Sequence, residues 1–358
     1  MKFALAGGGT GGHAYPAIAV AERLREVEGT ELVYYGTEKG PERSVAEGAR
    51  IPYRAVPASQ VRGRSPIRLA TGLARLWSGT RVAARLLAED RPAAVFATGG
   101  YAAAPVGRAA RGAGIPLVVF LPDVHPGWAV RFLARYASKI ACSVEGSLAS
   151  LPKGRTVVTG YPVRRQFVDA TREEGIARFG LDPALKTVLV AGGSLGAHQI
   201  NLAVAASLRT LLERAQVIHV SGVDEEHWLQ RERERLPEWM RGRYHLHAYT
   251  EEMAYAMRAA DLAVTRAGAS TLGELPVAGL PAIVIPGGFS DQHLNADYLA
   301  RQGAAVMLPT ARLDDLQSTV LDLLADDARR EAMAAAMRGL ARPDAAGALA
   351  QLLREVAA

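Results

Sequence analysis

Short apolar runs alternate with helical patterns along the whole of this 358-residue chain, and that alternation leaves few folds open. Strand-like runs cover residues 2–6, 31–35, 93–98, 117–120, 139–143 and 156–159. Helical patterns such as 17–27, 68–89 and 200–215 lie between strand-like runs. Strands alternating with helices predict an α/β protein with parallel sheets covered by helices. Runs such as "PLVVFL" and "PAIVIP" are apolar throughout, as strands buried on both faces require. After Pro162 the pattern begins again, with runs at 187–191, 217–221, 244–248, 262–265 and 282–285. The length also exceeds what one ordinary core holds. Two Rossmann-like domains are therefore expected, over 1–160 and 161–340, with the boundary in "TGYPVRRQFV". The closing "DAAGALAQLLREVAA" reads as an amphipathic helix, and residues 341–358 are expected to pack back on the first domain.

Hydrophobic residues make up 49% and charged residues 22%, the balance of a folded globular chain. No apolar run approaches the roughly 18–20 residues that cross a bilayer. The opening "KFALAGGG" does not follow the pattern of a secretory signal. Cys142 is the single cysteine, which excludes an internal disulfide and fits a reducing cytoplasm, with core filling as its role. Charge is uneven. Residues 1–160 carry 21 Lys and Arg against 11 Asp and Glu, a net +10, whereas the remainder carries 21 against 25, a net −4. The first half is thus suited to an anionic partner. Residues 61–92 hold seven arginines against two acids, with Leu69, Leu73, Leu76 and Trp77 at helical spacing. That stretch fits an anionic membrane surface, and it fits equally a core helix with a solvated basic face. Aromatic residues are only 6% and no nucleic-acid motif appears, so nucleic acid is not an expected partner.

Three glycine-bearing stretches join strands to helices. "GGGTGG" satisfies G-x-G-x-x-G through Gly7, Gly9 and Gly12. A dinucleotide fold also needs an acid at the end of the second strand, where this chain has Gly36 and Thr37. A dehydrogenase is disfavoured on that ground. The second stretch, "GGSLGA", holds Gly193, Ser194, Leu195 and Gly196. The third, "TRAGASTLGEL", places Ala269, Ser270 and Thr271 at a helix start with Glu274 one turn later. Amides at a helix N-terminus suit phosphate, and a carboxylate one turn on suits a ribose diol. An N-cap followed by a solvated glutamate is the plainer alternative.

In order and spacing, "GGTGGH", "GYPVR", "GGSLGA", "SG" at Ser221–Gly222, "RAGASTLGEL" and "DQHLNA" resemble the MurG family over nearly the whole chain. The family comprises the bacterial N-acetylglucosaminyltransferases of peptidoglycan synthesis. The resemblance implies two Rossmann-like domains facing across a cleft, the GT-B arrangement. It implies transfer of N-acetylglucosamine from UDP-GlcNAc to O4 of the muramic acid in lipid I, with inversion, to give lipid II. On the donor side it implies uracil near residues 248–253, which include Thr250, and ribose on Glu274. Gly193, Ser194, Leu195, Gly196, Ala269, Ser270 and Thr271 would then line the diphosphate, and Gln292 would reach the sugar. Arg164 would neutralise the leaving diphosphate. Thr10, Gly11, Gly12, Gly99, Gly100, Tyr101 and Asp123 would lie on the acceptor side; for "GGY" a tight structural turn stays open as the other reading.

An inverting transfer is one displacement by a weakly nucleophilic hydroxyl, so a positioned base is needed. His13 is the candidate: a helix start disfavours imidazolium and leaves the ring ready to accept a proton. A structural histidine is the alternative. No cofactor and no obligatory metal are expected, because no acidic motif with metal-ligand spacing accompanies the diphosphate stretch. The implied partners are UDP-GlcNAc, a polyprenyl-pyrophosphate-linked muramyl-peptide and an anionic membrane through residues 61–92. The implied location is peripheral, on the cytoplasmic face of the cell membrane. Two departures stand out. "FLPDVHPGW" has Asp123 where the family usually has asparagine, and "DQHLNA" has a single glutamine. The competing functions are a glycosyltransferase of another membrane lipid and, in a different class, a UDP-GlcNAc 2-epimerase.

Overall fold

The computed structural model describes residues 1–8, 11–58, 66–193, 197–288 and 292–358, with the side chains of residues 11, 66–70 and 73 left aside. The chain divides into two compact units, Met1–Arg164 with Pro343–Ala358, and Arg165–Arg342.

The first unit begins β1 (Lys2–Gly7), α1 (Gly11–Arg25), β2 (Glu31–Gly36), α2 (Glu42–Gly48), β3 (Tyr53–Ala55) and α3 (Pro66–Asp90). It continues β4 (Ala94–Gly99), α4 (Gly100–Gly112), β5 (Leu117–Leu121), α5 (Trp128–Leu133), β6 (Lys139–Cys142) and β7 (Thr156–Val158). The second unit begins α6 (Arg165–Asp169), α7 (Arg172–Phe179), β8 (Thr187–Ala191), α8 (His198–Arg214) and β9 (Gln216–Val220). Next come α9 (Glu226–Glu234), α10 (Glu238–Arg241), β10 (Tyr244–His247), α11 (Met253–Ala259), β11 (Leu262–Arg266) and α12 (Thr271–Ala278). It closes with β12 (Ala282–Ile285), α13 (Gln292–Arg301), β13 (Ala305–Met307), α14 (Leu316–Ala325) and α15 (Asp327–Leu340). The last helix, α16 (Ala345–Ala357), belongs to the first unit and packs on α1.

Each unit has one wholly parallel sheet. The orders are β3-β2-β1-β4-β5-β6-β7 and β10-β9-β8-β11-β12-β13. Every residue of β4, β5, β8 and β12 is buried, which explains the unbroken apolar sequences of β5 and β12 and the nearly unbroken ones of β4 and β8. Phe96 on β4 and Phe120 on β5 are fully buried with ring centroids 6.2 Å apart, and Tyr161 meets Phe120 at 6.1 Å. Burying each phenylalanine contributes about 1.5–3 kcal/mol. Cys142 is a free buried cysteine, and burial pushes its thiol up to about 11.

In both sheets the chain winds outward in opposite directions from two central neighbours, β1 and β4 in one unit and β8 and β11 in the other. Such switch points open a crevice beyond the carboxyl ends of the two strands. The glycine-bearing stretches fall at both.

Some elements differ from their sequence patterns. The first helix starts at Gly11 rather than 17 despite two glycines and Pro16, because packing of Ala14, Ala17 and Val20 outweighs weak propensity. The edge strands β3 and β13 have only three residues each, too few to show a period.

Candidate active site

At the first switch point His13 sits in the opening turn of α1, half-buried. Its Nδ1 lies 2.8 Å from the main-chain oxygen of Thr98, at the end of β4. The Thr98 hydroxyl in turn donates to the main-chain oxygen of His13 at 2.6 Å. Gly99 and Gly100 follow with φ of +101° and +75°. A Cβ on Gly99 would meet His13 Cε1 at 3.0 Å, and one on Gly100 would overlap Gly8 O at 1.8 Å. Packing therefore requires glycine at Gly100, and the left-handed backbone favours it at Gly99, whatever else they meet.

Pro16 has no N–H, so the main-chain oxygen of Gly12 loses its usual helical donor. The Tyr161 hydroxyl donates to that oxygen at 3.4 Å, tying "GYPVR" to the start of α1. Arg164 lies with its guanidinium 5.1 Å from the Tyr15 ring centre, so its cation rests on the helix that carries His13.

Beneath the opening loop lies Glu42, wholly buried at the start of α2. Its Oε1 accepts from the amide of Thr37 at 2.7 Å and from its hydroxyl at 2.6 Å. Gly8, Gly36 and Gly40 all back onto this side chain, where a Cβ on any of them would clash. Burial and the Glu42 charge raise the phenol pKa values of Tyr34 and Tyr53 above their usual range. Tyr34 accordingly stays a donor, giving its hydrogen to Gly7 O at 3.2 Å. Tyr101 is half-buried in the first turn of α4. Asp123 is half-buried beyond β5, and its main-chain oxygen accepts from Ser147 at 3.3 Å. Nearby His125 is engaged at Nε2 by Arg131 and lies 3.3 Å from Ser150 Oγ through Nδ1.

At the second switch point, Gly192 and Gly193 follow β8, and Gly193 has φ of +92° with no atom of the described residues within 4 Å of where a Cβ would go. Ser194, Leu195 and Gly196 lie outside the described residues, as does Thr10 of the opening loop; Gly11 is described only as backbone. After β11 the turn Gly268–Ser270 leads into α12. The Thr271 hydroxyl is turned back onto Gly268 O at 2.5 Å. The amides of Thr271, Leu272 and Gly273 are also taken, by carbonyls three residues earlier. Among the described residues this leaves the amides of Gly268, Ala269 and Ser270 as the unpaired donors of the turn. Ser270 makes no side-chain cap, and Glu274, whose amide bonds Ser270 O at 2.8 Å, projects half-buried one turn on.

Gln292 opens α13 with its Oε1 accepting from Gly287 N at 2.8 Å, which directs its amide hydrogens elsewhere. Asn295, wholly buried, ties α13 to Ala267 O at 3.1 Å. Arg266 brings a half-buried guanidinium to the same strand ends, donating to Pro286 O at 3.3 Å. Thr250 lies beyond the edge strand β10, and its Oγ1 accepts from the amide of Glu252 at 3.0 Å, shaping the turn before α11. Among the described residues no three His, Cys, Asp or Glu side chains gather as metal ligands.

The sequence did not single out Thr98, Glu42, Asn295 or Arg266. The last two stand inside or beside quoted motifs, and Thr98 is a polar residue closing an otherwise apolar strand. Glu42 carries no local signal, since its burial depends on three glycines elsewhere in the chain.

The chain is similar to known proteins over nearly its whole length. Residues 3–142 match the glycosyltransferase family 28 N-terminal domain and residues 187–349 the family 28 C-terminal domain. A Roseiflexus relative is 43% identical over 98% of this chain and 93% of its own length. It is named UDP-N-acetylglucosamine–N-acetylmuramyl-(pentapeptide) pyrophosphoryl-undecaprenol N-acetylglucosamine transferase. The Acinetobacter baumannii MurG crystal structure superposes with a TM-score of 0.77 at 25% identity, covering 99% of both chains. A Neisseria meningitidis UDP-GlcNAc 2-epimerase reaches 0.69 at 14% identity over 99% of this chain and 100% of its own, which is likeness of fold alone. The chain belongs to glycosyltransferase family 28 and, within it, to the MurG family.

Proposed function

We propose that this chain transfers N-acetylglucosamine from UDP-GlcNAc to O4 of the muramic acid of lipid I, inverting the anomeric carbon and forming lipid II. The observation that carries this is the full-length match, at 43% identity, to a relative that bears the name of that reaction. His13 takes the proton from the attacking hydroxyl through Nε2, since Nδ1 is engaged with Thr98 O. The bond from that oxygen to the anomeric carbon forms as the bond to UDP breaks.

In this reading the diphosphate meets the amides of Ala269 and Ser270, the loop at Gly193, Ser194, Leu195 and Gly196, and Arg164. Glu274 accepts from the ribose hydroxyls, Gln292 donates to the sugar, and uracil lies by Thr250. The acceptor approaches His13 past Thr10, Gly11, Gly12, Gly99, Gly100, Tyr101 and Asp123. Thr271 would act through its place in the fold, because its hydroxyl hydrogen is already committed. Fixed cations and amide dipoles carry the leaving charge, so no metal is required.

No helix among the described residues is long and apolar enough to cross a membrane. A lipid-linked acceptor then calls for surface binding, on the cytoplasmic face, through residues 61–92. The described part of that segment uses one face for the core, with Ala83 and Leu87 buried, and presents Trp77 59% exposed beneath Arg81 at 3.7 Å.

Incubation with UDP-GlcNAc and a lipid I analogue should release UDP and yield the disaccharide only when both are present. Turnover should persist in excess EDTA. UDP-ManNAc formed without acceptor would reject the transferase reading.

A further inference from the structure

We propose that Thr98 is a positioning residue that fixes which nitrogen of His13 carries the proton and where the other one points; the inference rests on the base role given to His13. Between β1 and β4, Ala6 faces Ala97 but Gly7 faces Gly99, so Thr98 is an extra residue in the register. A residue set out of a ladder in this way re-aims its polar groups. Both groups of Thr98 turn to one target. Its carbonyl is 2.8 Å from His13 Nδ1, and its hydroxyl donates to the main-chain oxygen of His13 at 2.6 Å.

A carbonyl has no hydrogen to give, so Nδ1 must be the protonated nitrogen and Nε2 of the neutral ring holds the lone pair. Neutral imidazole in water favours the opposite arrangement, which would present a donor to the acceptor hydroxyl instead of a base. The hydroxyl tether makes the carbonyl contact stable. It holds the first turn of α1 at the distance where ring and carbonyl meet, and Thr98 is wholly buried, so water does not compete. Gly99 contributes by leaving room for the ring, since a Cβ there would lie 3.0 Å from Cε1.

The test is the 15N spectrum of histidine-labelled protein at about pH 8.5, some two units above the ordinary histidine value. The His13 signals are assigned by their loss in His13→Ala. The wild type should show protonated Nδ1 and unprotonated Nε2. Thr98→Ala should admit the Nε2–H form and lower kcat about tenfold, the worth of one net hydrogen bond, with KM for UDP-GlcNAc within about twofold. Thr98→Ser, which keeps the hydroxyl, should restore both. A folded Thr98→Ala that keeps either the wild-type ring spectrum or the wild-type kcat overturns the proposal, as does a wild-type ring already protonated at Nε2. The base reading has its own arm: His13→Ala should lower turnover at least about 100-fold. Near-normal turnover there would remove the base role while leaving the ring spectrum of the wild type as observed.

Discussion

Two glycines with left-handed backbones, Gly100 and Gly193, impose different demands. At Gly100 φ is +75° and a Cβ would sit 1.8 Å from a backbone oxygen of Gly8, which has no rotamer to yield. At Gly193 φ is +92° and, among the described residues, nothing lies in the Cβ direction. Gly193→Ala should therefore cost only the conformational term, about 1–2 kcal/mol. Gly100→Ala must add the separation of β4 from the opening loop and should cost at least about twice as much. Urea midpoints of the two variants check the order, and equal losses would mean the close approach at Gly8 is relaxed cheaply. That contrast also marks how far single residues were legible. His13 and Glu274 stand out from residue type and spacing, whereas Gln292 enters only through the family resemblance. "GGY" left a turn and a ligand contact both open, because the atom that forbids a side chain at Gly100 belongs to a distant stretch. Thr98 and Glu42 matter through partners that no local pattern reveals.

Within single elements, β9 carries the most telling polar group. His219 is wholly buried, with Tyr244 Oη 2.8 Å from Nδ1 and Asn201 Oδ1 3.0 Å from Nε2. The amide oxygen accepts, so Nε2 is protonated and Nδ1 accepts from the phenol, giving a neutral ring. Burial pushes its pKa down to about 3. The unfolded chain, with an ordinary value near 6.5, therefore binds this proton first as pH falls. The stability tied to neutral His219 is fully present above about pH 6.5 and is lost progressively down to about 3, at roughly 1.4 kcal/mol per pH unit. His245 and His247 on β10 are lowered by burial too and add in the same direction. Comparing urea stability against pH for the wild type and His219→Phe isolates the one proton. The variant should be less stable at pH 7 yet flatter by about one proton's slope, and parallel curves would show that His219 titrates normally. Elements of this kind were legible as apolar runs, strand by strand. The three-residue edge strands β3 and β13 were not, nor was the start of α1, where tertiary packing overrules glycine and proline.

For the whole molecule, architecture was the most legible feature, since a repeated glycine-bearing restart already implies two sheets wound outward from a central pair. Net charge adds something topology does not. The +10 of residues 1–160 against −4 in the remainder concentrates attraction to an anionic surface in one part of the chain. Its densest stretch, residues 61–92, combines seven arginines with an exposed tryptophan under Arg81. In the proposed surface binding, long-range charge and a shallow apolar anchor would make separable contributions. The charge contribution falls with salt, whereas the anchor does not. Neutralising Arg62, Arg64 and Arg68 to glutamine should weaken binding to phosphatidylserine-containing vesicles by about 1 kcal/mol per residue at low salt, and the loss should shrink in high salt. Trp77→Ala should weaken binding by a salt-independent amount. Co-sedimentation across a salt series measures both, and triple-variant binding equal to wild type at low salt would detach this stretch from the membrane.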